Sequence, residues 1–134
     1  MQDNVITLAI DTANTGSTTD VDFTRNEELT NRSTYVQKDT HTLAHRYQVQ
    51  FYRTYPKRSG ASLGSRKYAV KITQDFDVPN ADGSGSITLP AIVDCQFSLP
   101  VGMTVAQSLL MRQGMVALLD RDDIMTDLDV ILEI

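Results

Sequence analysis

The chain has one cysteine and two histidines in 134 residues, and that scarcity removes whole classes of chemistry. Cys95 alone cannot close an intrachain disulfide, and the alternation around it places it on the apolar side of a strand, as a small hydrophobe rather than a nucleophile. Neither His41 nor His45 has a Cys, Asp or Glu at the spacing of a metal motif, and no acidic residue follows Asp39 in their neighbourhood. There is no C-x-x-C pair, and the stretch DGSGS lacks the lysine and following helix of a phosphate cradle. The aspartates crowded near the C-terminus lack the loop glycine of a calcium hand and fit a solvated helix face. No enzymatic activity, metal or cofactor is expected. No apolar run approaches membrane-spanning length, and MQDNVITLAI lacks the basic head and long apolar stretch of a secretion signal, so a soluble compartment and no membrane partner are expected.

A second absence is more informative. Between Thr40 and Gln74 there is no Asp or Glu, yet this window carries Arg46, Arg53, Lys57, Arg58, Arg66, Lys67 and Lys71. The acids gather elsewhere: Asp120, Asp122, Asp123, Asp127, Asp129 and Glu133 lie at the C-terminal end. The net charge of −5 argues against nucleic acid as a partner, but segregation of this kind can give one molecule a positive and a negative surface. Hydrophobic residues at 41% and charged residues at 22% are ordinary for a folded domain, and the length suits a single domain, residues 1–134.

Period-2 patterning dominates the first hundred residues. Ile6, Leu8 and Ile10 alternate with polar or small residues, DTANTGST supplies a turn, and Val21 and Phe23 alternate again, which reads as an N-terminal hairpin within residues 1–29. Ser33–Lys38 suggests a short strand. From His45 to Thr54, His45, Tyr47, Val49 and Phe51 fall on one face, and Arg46, Gln48, Gln50 and Tyr52 on the other. YPKRSGASLGS is turn-rich and returns the chain antiparallel into RKYAVKITQDF, where Tyr68, Val70, Ile72 and Phe76 form a side expected to be buried. The opposite side holds Lys67, Ala69, Lys71 and Thr73. A basic face of this kind invites a polyanion, although a solvated sheet face is the commoner explanation of two lysines. The loop 78–86 is flexible by composition. ITLPAIVDCQFSLP is a further amphipathic strand entered at Pro90 and left at Pro100, with Asp94, Gln96 and Ser98 on its polar parity, and it completes a main sheet over residues 30–100.

The period then changes. Thr104 is a candidate N-cap for a helix from Val105 to Leu119 whose apolar residues exceed the stripe a surface helix needs. Asp122 and Asp123 open a second helical segment carrying Ile124, Leu128, Ile131 and Leu132, and a terminal strand from Val130 to Ile134 competes with its last turn. Strands followed by helices, the helices within residues 104–134, indicate an α+β fold with an antiparallel sheet and helices on one face. The surplus apolar surface of the first helix asks for a second copy of the chain.

This ordered set resembles the coat proteins of single-stranded RNA bacteriophages, the levivirus-like family. The resemblance rests on the hairpin VITLAIDTANTGSTTDVDF, the strands HRYQVQFYR and SRKYAVKIT, the strand ending ITLPAIVDCQFSLP, and the helices TVAQSLLMRQGMVALLD and DDIMTDLDVILEI. It implies an interlocked homodimer with a continuous sheet, in which each chain's helices reach over the other. It further implies an icosahedral shell assembled in the bacterial host cytoplasm, and genomic RNA on the inward sheet face. In some members a bound stem-loop also represses translation. The RNA-binding positions it implies are Gln48, Gln50, Tyr52, Lys67, Lys71, Thr73 and Gln96, with Ser98 beside the last, and alternation adds Arg46 to the same surface. Ala69 and Asp94 depart from what such a face needs, since one cannot hydrogen-bond a base and the other repels phosphate. The alternative is a dimeric α+β module that binds RNA or an acidic partner without forming a shell.

Overall fold

The computed structural model describes residues 4–132. Six strands come first: β1 Val5–Ile10, β2 Thr19–Glu28, β3 Arg32–Val36, β4 Tyr47–Thr54, β5 Ser65–Pro79 and β6 Ser86–Pro100. Two helices follow, α1 Val105–Leu119 and α2 Asp122–Leu132. The strands form one sheet in the order β1-β2-β3-β4-β5-β6. The chain divides into two compact units, one holding the residues up to Pro56 with Arg66–Ser98, the other Lys57–Ser65 with the residues from Leu99 onward.

In the first unit, register converts alternation into a core. Pairing Ile6 with Phe23 and Leu8 with Val21 across β1–β2, and Tyr35 with Val49 across β3–β4, stacks every apolar parity on one side. Phe23, Tyr35 and Val49 are buried there, with Ile6, Leu8, Val21, Tyr47 and Phe51 packed around them. Edge-to-face ring pairs, Phe23 with Tyr47 at 5.1 Å and Tyr35 with Phe51 at 5.6 Å, add quadrupole attraction to apolar burial. This side is not covered along its whole length. Tyr68, Ile72 and Phe76 of β5, expected to be buried, are 38%, 37% and 46% exposed in the single chain. Tyr68 stacks on Phe97 of β6, with ring centroids 4.6 Å apart.

Three boundaries depart from the sequence reading. β4 begins at Tyr47, because His45 belongs to the preceding turn, where the Thr42 N–H donates to its carbonyl at 2.9 Å. β5 runs on to Pro79, so the mobile-looking loop shrinks to the turn between Pro79 and Ser86. β6 passes through Pro90 rather than starting there; it is the last strand of the sheet, and an edge strand tolerates a residue without an N–H.

In the second unit the helical readings hold. Thr104 caps α1 in a reciprocal box: its hydroxyl accepts from the Gln107 N–H at 3.1 Å, and the Gln107 side chain accepts from the Thr104 N–H at 3.0 Å. Thr104→Ala should lower stability by about 1 kcal/mol, read as a shift in the thermal unfolding midpoint. Val130, Ile131 and Leu132 are helical, and the remainder of the competing strand, 133–134, lies outside the described residues. The connection before β5 is tightened at Gly64. Its φ of +94° is left-handed, and a Cβ there would lie 2.3 Å from the Lys57 carbonyl oxygen, so only glycine fits. The Gly64 carbonyl in turn accepts from the Val101 N–H at 2.9 Å.

α1 has no buried residue. Val105, Leu110, Met111 and Val116 are 87%, 71%, 58% and 53% exposed, and Val130 and Ile131 of α2 are 65% and 74% exposed. Apolar exposure on this scale is more than scattered surface hydrophobics account for. Among the described residues no helix is long and apolar enough to cross a membrane.

Candidate nucleic-acid interface

The polar side of the sheet is assembled by the same registers that build the core. Across β4–β5, Gln48 faces Thr73, Gln50 faces Lys71, Tyr52 faces Ala69 and Thr54 faces Lys67. Across β3–β4, Arg32 faces Tyr52 and Thr34 faces Gln50. The Tyr68–Phe97 stack lies on the apolar side, so Gln96 and Ser98 fall on the polar side beside Lys67 and Ala69. The residues expected on one face are therefore brought together, and three that sequence reasoning missed, Arg32, Thr54 and Asp75, join them.

Their availability is unequal. Lys67 and Lys71 carry no ion pair among the described residues. Arg46 is engaged: Asp75, one residue past the acid-free window, accepts from its backbone N–H at 2.8 Å, from Nε at 3.0 Å and from Nη2 at 3.1 Å. Arg46 thus fastens β4 to β5 before it can meet a phosphate. Thr73 sits at the expected register position but is only 3% exposed. Gln50 is committed within the sheet, accepting from the Tyr52 hydroxyl at 3.0 Å and donating to Thr34 Oγ1 at 3.4 Å. Asp94 shares the parity of Gln96, whose amide donates to it at 3.4 Å. Toward β1–β2 the same face turns acidic with Asp20 and Asp22, the latter accepting from the Thr7 hydroxyl at 2.6 Å. The cationic region is the β4–β6 corner around Lys67 and Lys71.

Next to Arg46 and Asp75, His45 Nε2 lies 2.9 Å from Asp77 Oδ1, which also accepts from the Thr88 hydroxyl. His41 Nδ1 accepts from the Tyr47 N–H at 3.1 Å, so both histidines serve the turn before β4. The Arg46 side chain first, and its N–H second, hold the Asp75 carboxyl below its ordinary value. A depressed carboxylate contributes stability above its unfolded value and loses it as pH falls through the folded one. Wild type should therefore melt higher than Asp75→Asn by a constant margin at neutral pH, and the margin should close below about pH 4. A margin unchanged by acid would show that the ion pair contributes nothing.

A hollow of about 480 Å³ opens on this corner, lined by Tyr52, Thr54, Lys67, Ala69, Gln96 and Ser98 among others. A phenol ring, an ammonium, an amide and two hydroxyls around a small floor suit a planar, hydrogen-bonding ligand attached to negative charge. Among the described residues no group of three or more His, Cys, Asp or Glu side chains could hold a metal ion.

No family model matches the sequence, and no curated protein matches it either. Solved structures do match. The chain aligns with the virus-like particle of bacteriophage AVE019 at a TM-score of 0.68 and 21% identity, over 90% of this chain and 89% of that one. It aligns with the virus-like particle of Beihai levi-like virus 32 at 0.67 and 14% identity, over 80% and 82%. With the capsid protein of bacteriophage GA the TM-score is 0.56 at 16% identity, over 86% and 83%. Identities this low transmit architecture rather than site chemistry, and the architecture agrees in element order and nearly full length: the chain has the levivirus coat-protein fold, a six-stranded antiparallel sheet followed by two helices.

Proposed function

We propose that the chain is the coat protein of a single-stranded RNA bacteriophage, a structural protein without enzymatic activity. In this reading two copies interlock by laying each other's helices over the uncovered apolar side of the sheet, dimers close into an icosahedral shell, and the polar side faces genomic RNA. The observation that carries it is the pairing of two unsatisfied apolar surfaces in one chain: α1 without a buried residue, and β5 with Tyr68, Ile72 and Phe76 exposed. A two-fold arrangement satisfies both with one contact, because each chain supplies what the other lacks. Lys67 and Lys71, with Tyr52, Gln48 and Gln96, are the RNA-facing residues of this reading. Arg46, Gln50 and Thr73 hold the face in shape. The location that follows is the virion.

Expression of the full chain followed by electron microscopy and by absorbance at nucleic-acid and protein wavelengths tests it. Closed particles containing nuclease-protected RNA are the expected result. A small monomer free of nucleic acid would sink the reading, and RNA-bound dimers without particles would favour a binding module that forms no shell. RNA affinity should fall with salt at a logarithmic slope of about −0.7 for each phosphate neutralised. Lys71→Glu should lower packaged RNA several-fold while leaving dimer formation intact; equal loss of both would make Lys71 structural.

A further inference from the structure

The shift in register between β2 and β3 puts an acid where alternation would not. Up to Arg25, which faces Tyr35, the odd-numbered residues of β2 share the apolar side with Phe23; past the shift Glu27 faces Thr34, whose neighbours across β4 and β5 are Gln50 and Lys71. An extra residue in one strand re-aims the side chains beyond it. Here it turns Glu27 onto the polar face, where Arg32 Nη2 donates to its Oε1 at 2.6 Å. Arg32 stands directly across β3–β4 from Tyr52, and Tyr52 across β4–β5 from Ala69, the residue midway between Lys67 and Lys71. Arg32 is therefore two strand spacings, about 10 Å, from the line of the two lysines.

Two arginines of this face are paired, and the pairs differ in kind. The Asp75 side chain is 7% exposed and accepts from three nitrogens of Arg46, so drawing Arg46 away would strand a buried carboxylate. The Arg32 and Glu27 side chains are 36% and 44% exposed and meet at Nη2, while Arg32 Nε is buried with no hydrogen-bond partner among the described residues. An ion pair this exposed contributes little, because water receives the carboxylate readily when it is released. Arg46 is withheld from other anions, and Arg32 can exchange its partner.

Resting on the RNA-face reading, we propose that Glu27 fills a phosphate site at Arg32 while no RNA is bound, and that a strand already held by Lys67 and Lys71 displaces it. A phosphate offers the guanidinium the same sign of charge and the same paired oxygens as a carboxylate, so Arg32 stays partnered through the exchange. A strand seated on the two lysines presents a further phosphate at high effective concentration, whereas a free anion must compete with Glu27 from dilute solution. The register shift thus makes the third cation of the face conditional on the first two.

The test is a double-mutant cycle on the full chain, with affinity for a single-stranded RNA oligonucleotide measured at one low salt concentration in wild type, Glu27→Ala, Arg32→Met and the double variant. Glu27→Ala should bind several-fold more tightly, since its competitor is gone. Arg32→Met should weaken binding by about threefold or more beyond its effect in wild type when Glu27 is absent, because in wild type the lost phosphate contact is offset by the lost ion pair. Equal factors in the two backgrounds, or a larger one in wild type, would overturn the exchange and leave the RNA face standing, because a carboxylate that acts only through the general field adds independently of Arg32. Glu27→Gln, which keeps the length of the side chain and removes its charge, gives the same cycle should alanine disturb the strand. Binding of RNA by none of these chains at low salt would overturn the RNA-face reading itself.

Discussion

Replacing Phe23 by alanine will lower the stability of the chain by about 3–5 kcal/mol. The side chain is fully buried, pairs with Ile6 across the hairpin, and meets the edge of Tyr47 in a T-shaped contact. It joins β1 and β2 to the centre of the sheet, where Tyr35 and Val49 complete the buried cluster. Its neighbours are held by strand pairing and cannot collapse into the space a phenyl ring vacates, so both transfer and cavity terms are lost. Chemical denaturation of the purified chain, monitored by tyrosine fluorescence, would show the fall as a lower midpoint. A loss below about 1 kcal/mol, within the range of ordinary surface substitutions, would mean that the hairpin does not complete the core.

If the chain assembles as proposed, Leu110→Asp will abolish particle formation. Leu110 is 71% exposed in the single chain, so on the chain alone the change should be worth no more than about 0.5 kcal/mol. Under a second subunit the same carboxylate would be desolvated without a partner, at an effective cost of several kcal/mol per ion. The two readouts therefore diverge: circular dichroism and melting of dilute chain should change little, while light scattering and microscopy should lose the assembled species. Particles at wild-type yield would show that this part of α1 faces solvent in the assembly, and the argument from its uncovered apolar surface would fail.

The strands were readable because alternation is local. The parity that puts Val49 and Phe51 together, and Gln48 and Tyr52 together, survives intact into the register of β4 with β5. The cap at Thr104 was readable for the same reason, since a threonine and the residues just after it suffice to satisfy the first N–H groups of a helix. Pro90 misled because its meaning depends on strand order: in an inner strand it would end the ladder, and β6 is an edge. The candidate site was half legible. Lys67, Lys71 and Gln96 fall where alternation puts them, but the state of each group depends on partners distant in sequence. Arg46 meets Asp75 and is consumed by it, Glu27 reaches Arg32 through a register shift, and Thr73 is buried although its parity is polar. A count of cations in a window carries none of this.

Residue order alone sufficed for the element types, the two-sided strands, the capped helix and the excess of apolar helix surface, because each follows from spacing within a few neighbouring positions. Folding in three dimensions chose which cations are ion-paired, what the Tyr52 hydroxyl meets and where a hollow opens, because those depend on which side chains come together in the sheet. The ion pair of Arg46 with Asp75 and the row Arg32–Tyr52–Ala69 are products of register, and register is a property of the assembled sheet rather than of any one strand.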